Sequence, residues 1–188
     1  MSCDRRSTQL RMTVFTAITA ALICIAAPFT IPLPSAVPLS LATFAVYISG
    51  ALLGSIRGTL AVAVYLLTGL VGLPVYSGFT GGPAVIAGVT GGFLIGYLPC
   101  AFITGLFTEK SCAKPALMAV GMAAGTATLY IIGTAWFMMF TGSDLSAALL
   151  GCVVPFLAGD AVKIAAACAV SVVLRKKLRP MMTEKNST

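Results

Sequence analysis

The feature that most constrains this chain is a series of six apolar segments separated by short breaks. They cover roughly residues 11–29, 39–56, 59–74, 91–108, 115–140 and 146–174. A helix needs about 20 apolar residues to cross the hydrocarbon core of a bilayer, and each segment is near or above that length. We therefore predict an all-α membrane protein, a bundle of six transmembrane helices.

The composition agrees with lipid as the solvent. Only 9% of the 188 residues are charged, whereas a soluble domain carries roughly a quarter. Strands of a transmembrane β-barrel alternate apolar and polar residues, and these segments are continuously apolar, so the barrel is disfavoured. Six helices fill residues 1–188 as one membrane-embedded domain, with short tails at about 1–10 and 175–188. They leave no room for an attached ATPase.

The basic residues predict the orientation. In a six-span arrangement, all of the 12 Lys and Arg residues except Lys163 lie on one side. Three precede the first span, Arg57 lies between the second and third, Lys110 and Lys114 lie between the fourth and fifth, and five follow the sixth. The positive-inside rule then places both termini in the cytoplasm of a multi-pass protein. A net charge of +7 is accounted for by a basic rim at the lipid headgroups and predicts no nucleic-acid partner.

A glycine-rich segment, residues 74–92, separates the third and fourth spans. Its glycines are Gly78, Gly81, Gly82, Gly88, Gly91 and Gly92. Glycine permits positive φ and lets backbone N–H groups approach a ligand closely. Apolar residues are interspersed, so we expect an outer loop that folds back as a lid over the mouth of the bundle. An irregular loop that simply packs on the bundle is the alternative.

Small residues recur at four-residue spacing and predict close helix packing. They are Gly50-Gly54-Gly58, Gly88-Gly92-Gly96, Gly121-Gly125 and Ala17-Ala21. For the glycines we expect packing within the bundle. For Ala17 and Ala21 the spacing is equally compatible with a face reserved for a partner protein.

Asp160 and Lys163 are the two ionisable residues deep inside a span. Such groups are costly in a membrane and usually mark a ligand or ion path. Their i, i+3 spacing brings both onto one helix face, where they can pair. A structural ion pair is the alternative, but buried pairs often gain little stability over apolar packing. Pro155, five residues before Asp160, is expected to kink the helix.

Aromatic residues can line a pocket or lie at the membrane interface. The candidates are Tyr47, Tyr65, Tyr97, Phe102, Tyr130 and Trp136.

The sequence has no histidine and no phosphate-binding GxxxxGK[ST] loop, and its six cysteines form no metal-binding pattern. We therefore expect no metal site, no cofactor and no enzymatic activity in this chain.

Two stretches carry a family resemblance. Residues 72–82 (GLPVYSGFTGG) and 88–97 (GVTGGFLIGY) are similar to the loop signature of the BioY family, and residues 155–163 (PFLAGDAVK) resemble its last-helix motif. The similarity covers nearly the whole chain. Val89 departs from the family, which commonly has proline there.

This resemblance implies a biotin-specific S component, the substrate-binding subunit of an energy-coupling factor transporter in the bacterial cell membrane. In that family the S component docks on an EcfT-type transmembrane coupling subunit that carries two ATPase subunits. Ala17 and Ala21 match the small-residue motif that such components use for docking.

Biotin as the ligand gives each candidate residue a role. We expect Asp160 to accept from the ureido N–H groups and Lys163 to donate to the ureido carbonyl, because charge-assisted bonds are strong in a dry pocket. Tyr97 is a candidate wall residue. Candidates for holding the biotin carboxylate through backbone N–H groups are Thr80, Gly81, Gly82, Thr90 and Gly91.

Three other functions stay open. The chain is alternatively an S component for another vitamin, such as riboflavin or thiamin, or a solitary biotin importer without the ATPase module, in which Asp160 and Lys163 serve proton coupling. An intramembrane enzyme is disfavoured, because the chain lacks a nucleophile motif and a carboxylate cluster.

Overall fold

The computed structural model describes residues 2–31, 39–111 and 114–182. Residues 32–38, a proline-containing stretch after the first span, and the tail with Lys185 lie outside the described residues. The elements in chain order are α1 (Ser2–Ala26), β1 (Thr30–Ile31), β2 (Leu39–Ser40), α2 (Ala42–Leu70), α3 (Pro83–Ile86), α4 (Gly91–Lys110), α5 (Pro115–Thr141), α6 (Leu145–Cys152) and α7 (Val154–Met182). The two short strands pair antiparallel, with Thr30 opposite Ser40.

Within the described ranges, five helical segments are long and apolar enough to cross a membrane. They are Gln9–Ala26, Ala42–Leu70, Gly91–Lys110, Pro115–Thr141 and Leu145–Lys177. Large apolar side chains such as Ile56, Ile131 and Val162 are exposed on the outside of the bundle, as expected for helices that face lipid rather than water.

Helix α2 is interrupted at Gly54, where φ is +83° and ψ is −174°. A Cβ added to Gly58 would lie 2.8 Å from Cα of Gly50, whereas residues eight apart in a continuous helix are about 12 Å apart. The halves 42–53 and 55–70 therefore lie side by side. The sequence spans 39–56 and 59–74 imply a short turn at Arg57-Gly58, and that position was wrong: the chain reverses at Gly54, the residue that takes the positive φ.

Glu109, near the end of α4, forms hydrogen bonds to the chain just after this interruption. Its Oε1 accepts hydrogen bonds from the backbone N–H of Ser55 at 2.7 Å and from Ser55 Oγ at 3.1 Å. The first N–H groups of a helix lack intrahelical partners and favour a negative charge. A carboxylate from another helix thus caps the half 55–70.

The glycines of α4 and α5 pack between these two helices, as predicted. Gly92 lies against the side chain of Trp136, and a Cβ on Gly125 would be 2.9 Å from the carbonyl oxygen of Cys100. The Gly50-Gly54-Gly58 series also packs within the bundle, but the three glycines do not share one helix face, because the reversal places Gly50 opposite Gly58.

The last predicted span, 146–174, is divided into α6 and α7. Val153, with φ −122° and ψ −57°, separates them two residues before Pro155. Proline has no N–H and its ring clashes with the preceding turn of a helix, so the break agrees with the predicted kink.

The alanine pair lies on the exposed face of α1. Ala17 and Ala21 are both exposed, whereas Ala20 and Ile23 are buried against the bundle. These two alanines are therefore not used for packing within the described chain.

Candidate ligand-binding site

The predicted pair on α7 is formed, with Asp160 buried and Lys163 mostly buried. Lys163 Nζ lies 3.1 Å from Asp160 Oδ1, and the side chains are 11% and 6% exposed. The i, i+3 spacing brings them together as expected. Their roles toward a ligand stay predictions.

Tyr130 of α5 completes the partners of the carboxylate. Its hydroxyl donates a hydrogen bond of 2.5 Å to Asp160 Oδ2. The sequence marked Tyr130 only as one of several aromatic residues, because its partner lies 30 positions further along the chain. Asp160 thus receives one donor on each oxygen, from two different helices.

Lys163 uses all three protons of its ammonium group. Besides Asp160, it donates to the carbonyl oxygen of Ser40 at 2.7 Å and to Oγ1 of Thr43 at 2.9 Å. Ser40 ends β2 and Thr43 lies in the first turn of α2, both about 120 residues away in sequence. No spacing pattern in the sequence indicated either residue. A buried ammonium with three acceptors is fully satisfied.

Ser40 is itself held firmly. Its hydroxyl donates to the carbonyl of Ala27 at 2.9 Å and accepts from the N–H of Ala42 at 2.9 Å. The side chain therefore ties the end of α1 to the beginning of α2. The carbonyl that faces Lys163 is positioned by these two bonds.

These polar groups line one side of a cavity with about 370 Å³ of empty space, part of it open to the outside. The lining residues are Ser40, Thr43, Phe93, Tyr97, Leu129, Tyr130, Cys152, Phe156, Asp160 and Lys163. An apolar and aromatic wall with a few convergent polar groups is typical of a small-molecule site.

A second cavity lies under the glycine-rich segment. Thr80, Thr90 and Tyr97 are among its lining residues, and it shares Phe93 and Tyr97 with the first cavity. Three of the eight predicted site residues thus face this second space, and Tyr97 faces both.

The predicted glycines have a different position. Gly81, Gly82 and Gly91 line neither of the two cavities described above. The N–H of Gly82 donates to Gly69 at 2.7 Å, and that of Gly91 donates to Gly88 at 3.1 Å. Both groups are engaged within the protein, so a ligand would have to compete for them.

The glycine-rich segment is packed on the bundle. The buried Tyr76 hydroxyl donates to the carbonyl of Leu66 at 2.6 Å; burial raises the pKa of this phenol, which therefore keeps its proton. Trp136 Nε1 of α5 donates to the carbonyl of Gly88 at 3.0 Å. The segment both covers the second cavity and has defined contacts with the helices.

Comparisons with known proteins agree with one another. The model of the BioY family matches residues 3–180. The chain is 38% identical to the biotin transporter BioY of Thermotoga maritima over 167 residues. The aligned region covers 89% of this chain and 97% of that protein. It is also 38% identical to the biotin transporter BioY of Rhodobacter capsulatus, over 71% of this chain and 76% of the relative.

A solved structure has the same fold. The S-component for biotin from an ECF-type ABC transporter superposes with a TM-score of 0.84, at 27% identity, over 94% of this chain and 95% of that chain. The predicted all-helical, multi-pass membrane protein is thereby confirmed.

Proposed function

Because the chain belongs to the BioY family, we propose that it captures biotin with high affinity as the S component of an energy-coupling factor importer. The observation that carries the assignment of the site is the buried carboxylate of Asp160, held by the partly buried Lys163 and Tyr130 at the wall of an apolar cavity. The protein acts by binding, and partner subunits supply ATP hydrolysis.

The chemistry of the cavity matches the two ends of the biotin ring system. The ureido group offers N–H donors and a carbonyl acceptor, and Asp160 and Lys163 supply the complementary charges. The sulfur-containing ring is apolar and fits a wall of Phe93, Leu129 and Phe156. An analogue without the ureido group leaves buried polar atoms unpaired, which is costly.

The carboxylate tail extends toward the second cavity. Thr80 and Thr90 line that space. We assign their N–H groups and the Thr90 hydroxyl to the tail, because the Thr80 hydroxyl already donates to the carbonyl of Ser77 at 2.9 Å. Gly81, Gly82 and Gly91 act there only if the loop rearranges, since two of these N–H groups already have partners.

We propose six membrane passes, with α2 contributing two of them. The reversal at Gly54 supports this count, because Gly50 and Gly58 lie side by side. An even number of passes also places both termini on the same side, as the distribution of Lys and Arg requires. Both termini are then cytoplasmic, and the glycine-rich segment is an outer loop.

The proposed partners are an EcfT-type coupling subunit and two ATPase subunits. The exposed position of Ala17 and Ala21 on α1 supports a docking face, since small residues allow close approach of helices in lipid.

The decisive experiment is equilibrium binding of labelled biotin to the purified protein in nanodiscs, with riboflavin and thiamin as competitors. We expect tight binding that only unlabelled biotin displaces. Asp160→Asn should lose most of this affinity while its melting temperature and elution volume show a folded protein. Displacement by another vitamin, or unchanged affinity of Asp160→Asn, would refute the assignment.

Uptake by the chain alone in liposomes tests the solitary importer. Accumulation of biotin without ATPase subunits would contradict the proposed need for partners, whereas binding without accumulation agrees with it.

A further inference from the structure

The carbonyl of Ser40 faces the same ammonium group as Asp160, from the other end of the fold. Resting on the proposed function, we infer that this carbonyl accepts the second ureido N–H of biotin. Asp160 then accepts only the first, and Ser40 is a specificity-determining residue of the site.

The groups around Lys163 form a pattern of donors and acceptors. Lys163 Nζ has Asp160 Oδ1 at 3.1 Å and the Ser40 carbonyl oxygen at 2.7 Å, and all three residues line one cavity. This is an acceptor, a donor and an acceptor. A cyclic urea presents the complementary series, with a carbonyl between two N–H groups.

One carboxylate does not serve both N–H groups well. The two N–H bonds of a cyclic urea point away from each other on either side of the carbonyl, and Asp160 Oδ2 already accepts from Tyr130. A buried N–H without an acceptor weakens binding substantially. The second lone pair of the Ser40 carbonyl receives a long contact of 3.5 Å from Thr43 Oγ1, and the ureido N–H replaces this contact.

Thr43 provides the place for the ligand carbonyl. Lys163 has no proton to spare, so a ligand oxygen must replace one of its three acceptors. The Thr43 hydroxyl is the neutral side chain among them, so it is the acceptor that gives way, and its long contact of 3.5 Å with the Ser40 carbonyl is lost as well. Thr43 therefore occupies the position of the ligand oxygen while the cavity is empty.

The side chain of Ser40 acts as a positioning group for its own carbonyl. Its bonds to Ala27 and Ala42 fix this part of the backbone, so Ser40→Ala loosens the carbonyl without removing it. Ser49→Ala is a matched control, because Ser49 is a fully buried serine of α2 that lines neither cavity and bonds to Val46.

The test uses two cyclic carbamate analogues of biotin, each with one ureido N–H replaced by a ring oxygen. In the wild type each analogue should bind about 10-fold or more weakly than biotin, because an acceptor then faces an oxygen. In Ser40→Ala, the loss of affinity relative to biotin should shrink to about 3-fold or less for one analogue and should stay about 10-fold or more for the other. Ser49→Ala should leave the affinity losses of both analogues as they are in the wild type.

Either of two results would overturn the inference: an analogue that binds the wild type as tightly as biotin, or equal losses in Ser40→Ala and the wild type. If the wild type does not bind biotin at all, the proposed function fails instead.

A measurement on the unmodified protein guards against misfolding of Ser40→Ala. Ser40-Leu41 is the single Ser-Leu pair of the chain, so carbonyl-¹³C serine with ¹⁵N leucine identifies the Ser40 carbonyl in solid-state NMR. We expect a dipolar coupling to one ureido ¹⁵N of bound biotin, at about 4 Å given ordinary hydrogen-bond geometry. Absence of that coupling contradicts the inference.

Discussion

The hydroxyl of Tyr130 donates a 2.5 Å hydrogen bond to Asp160 Oδ2, while Lys163 contacts Oδ1 of the same carboxylate. Two helices, α5 and α7, therefore determine the direction of this one side chain. Because its second oxygen is held by Tyr130, Asp160 cannot turn to pair with Lys163 through both oxygens.

Tyr130→Phe tests this relationship. A hydrogen bond to a charged group contributes about 1.5–3 kcal/mol, so we expect biotin affinity to fall by about 10-fold or more. Isothermal titration calorimetry in nanodiscs measures the change. Tyr47→Phe is the control. It also removes a buried tyrosine hydrogen bond, the 2.6 Å bond between Tyr47 and Thr126, but neither residue lines the cavity. Equal affinity losses in the two variants would show that Tyr130 has no special role.

Lys163→Gln tests which ligand group faces the ammonium. At neutral pH 2-iminobiotin carries a cationic group in place of the ureido carbonyl, so like charges oppose its binding beside Lys163. We expect the wild type to prefer biotin strongly over 2-iminobiotin. In Lys163→Gln the preference should decrease by about 100-fold or invert, because the cation then pairs with the otherwise uncompensated Asp160. Competition binding with both ligands gives the ratio, and an unchanged ratio contradicts the assignment.

Gly54→Ala tests the interruption of α2. The alanine must adopt φ near +83°, and its Cβ would meet the Glu109 carboxylate. We expect a loss of about 1–3 kcal/mol in stability, measured as a lower melting temperature in detergent. Gly72→Ala is the matched control, because Gly72 also has positive φ but has open space around its Cβ position. The control should be affected less; an equal effect would mean that contact with Glu109 is unimportant.

Ala17→Leu tests the proposed docking face. A larger side chain keeps two helices apart in lipid, so we expect biotin uptake by cells with the complete transporter to fall by about 10-fold or more while biotin binding is unchanged. Ala166→Leu is the control, since Ala166 is an exposed alanine on α7. Normal uptake with Ala17→Leu argues against docking at this face.

The ion pair was predictable because both partners lie on one helix. Asp160 and Lys163 share a face through their spacing alone, and long apolar runs are enough to identify the membrane helices. Tyr130, Ser40 and Thr43 were not predictable as partners, since helix packing, which no local pattern encodes, brings them to the pair.

The interruption of α2 shows a second limit of sequence patterns. Hydropathy identifies an apolar run but carries no information on φ, so three glycines at equal spacing appeared equivalent. The structure distinguishes them, because Gly54 takes the positive φ and Glu109 caps the helix that follows. A carboxylate more than 50 residues away stabilises this break, and its role is a tertiary effect.

Trp136 gives the protein a built-in optical probe. It is the only tryptophan of the chain, and its indole N–H is bonded to Gly88 within the glycine-rich segment. Indole emission depends on hydrogen bonding and on the polarity of the surroundings, so lifting of this segment from α5 should shift the emission wavelength. Intrinsic fluorescence therefore reports in real time whether ligand binding moves the segment, with no label attached and no residue changed.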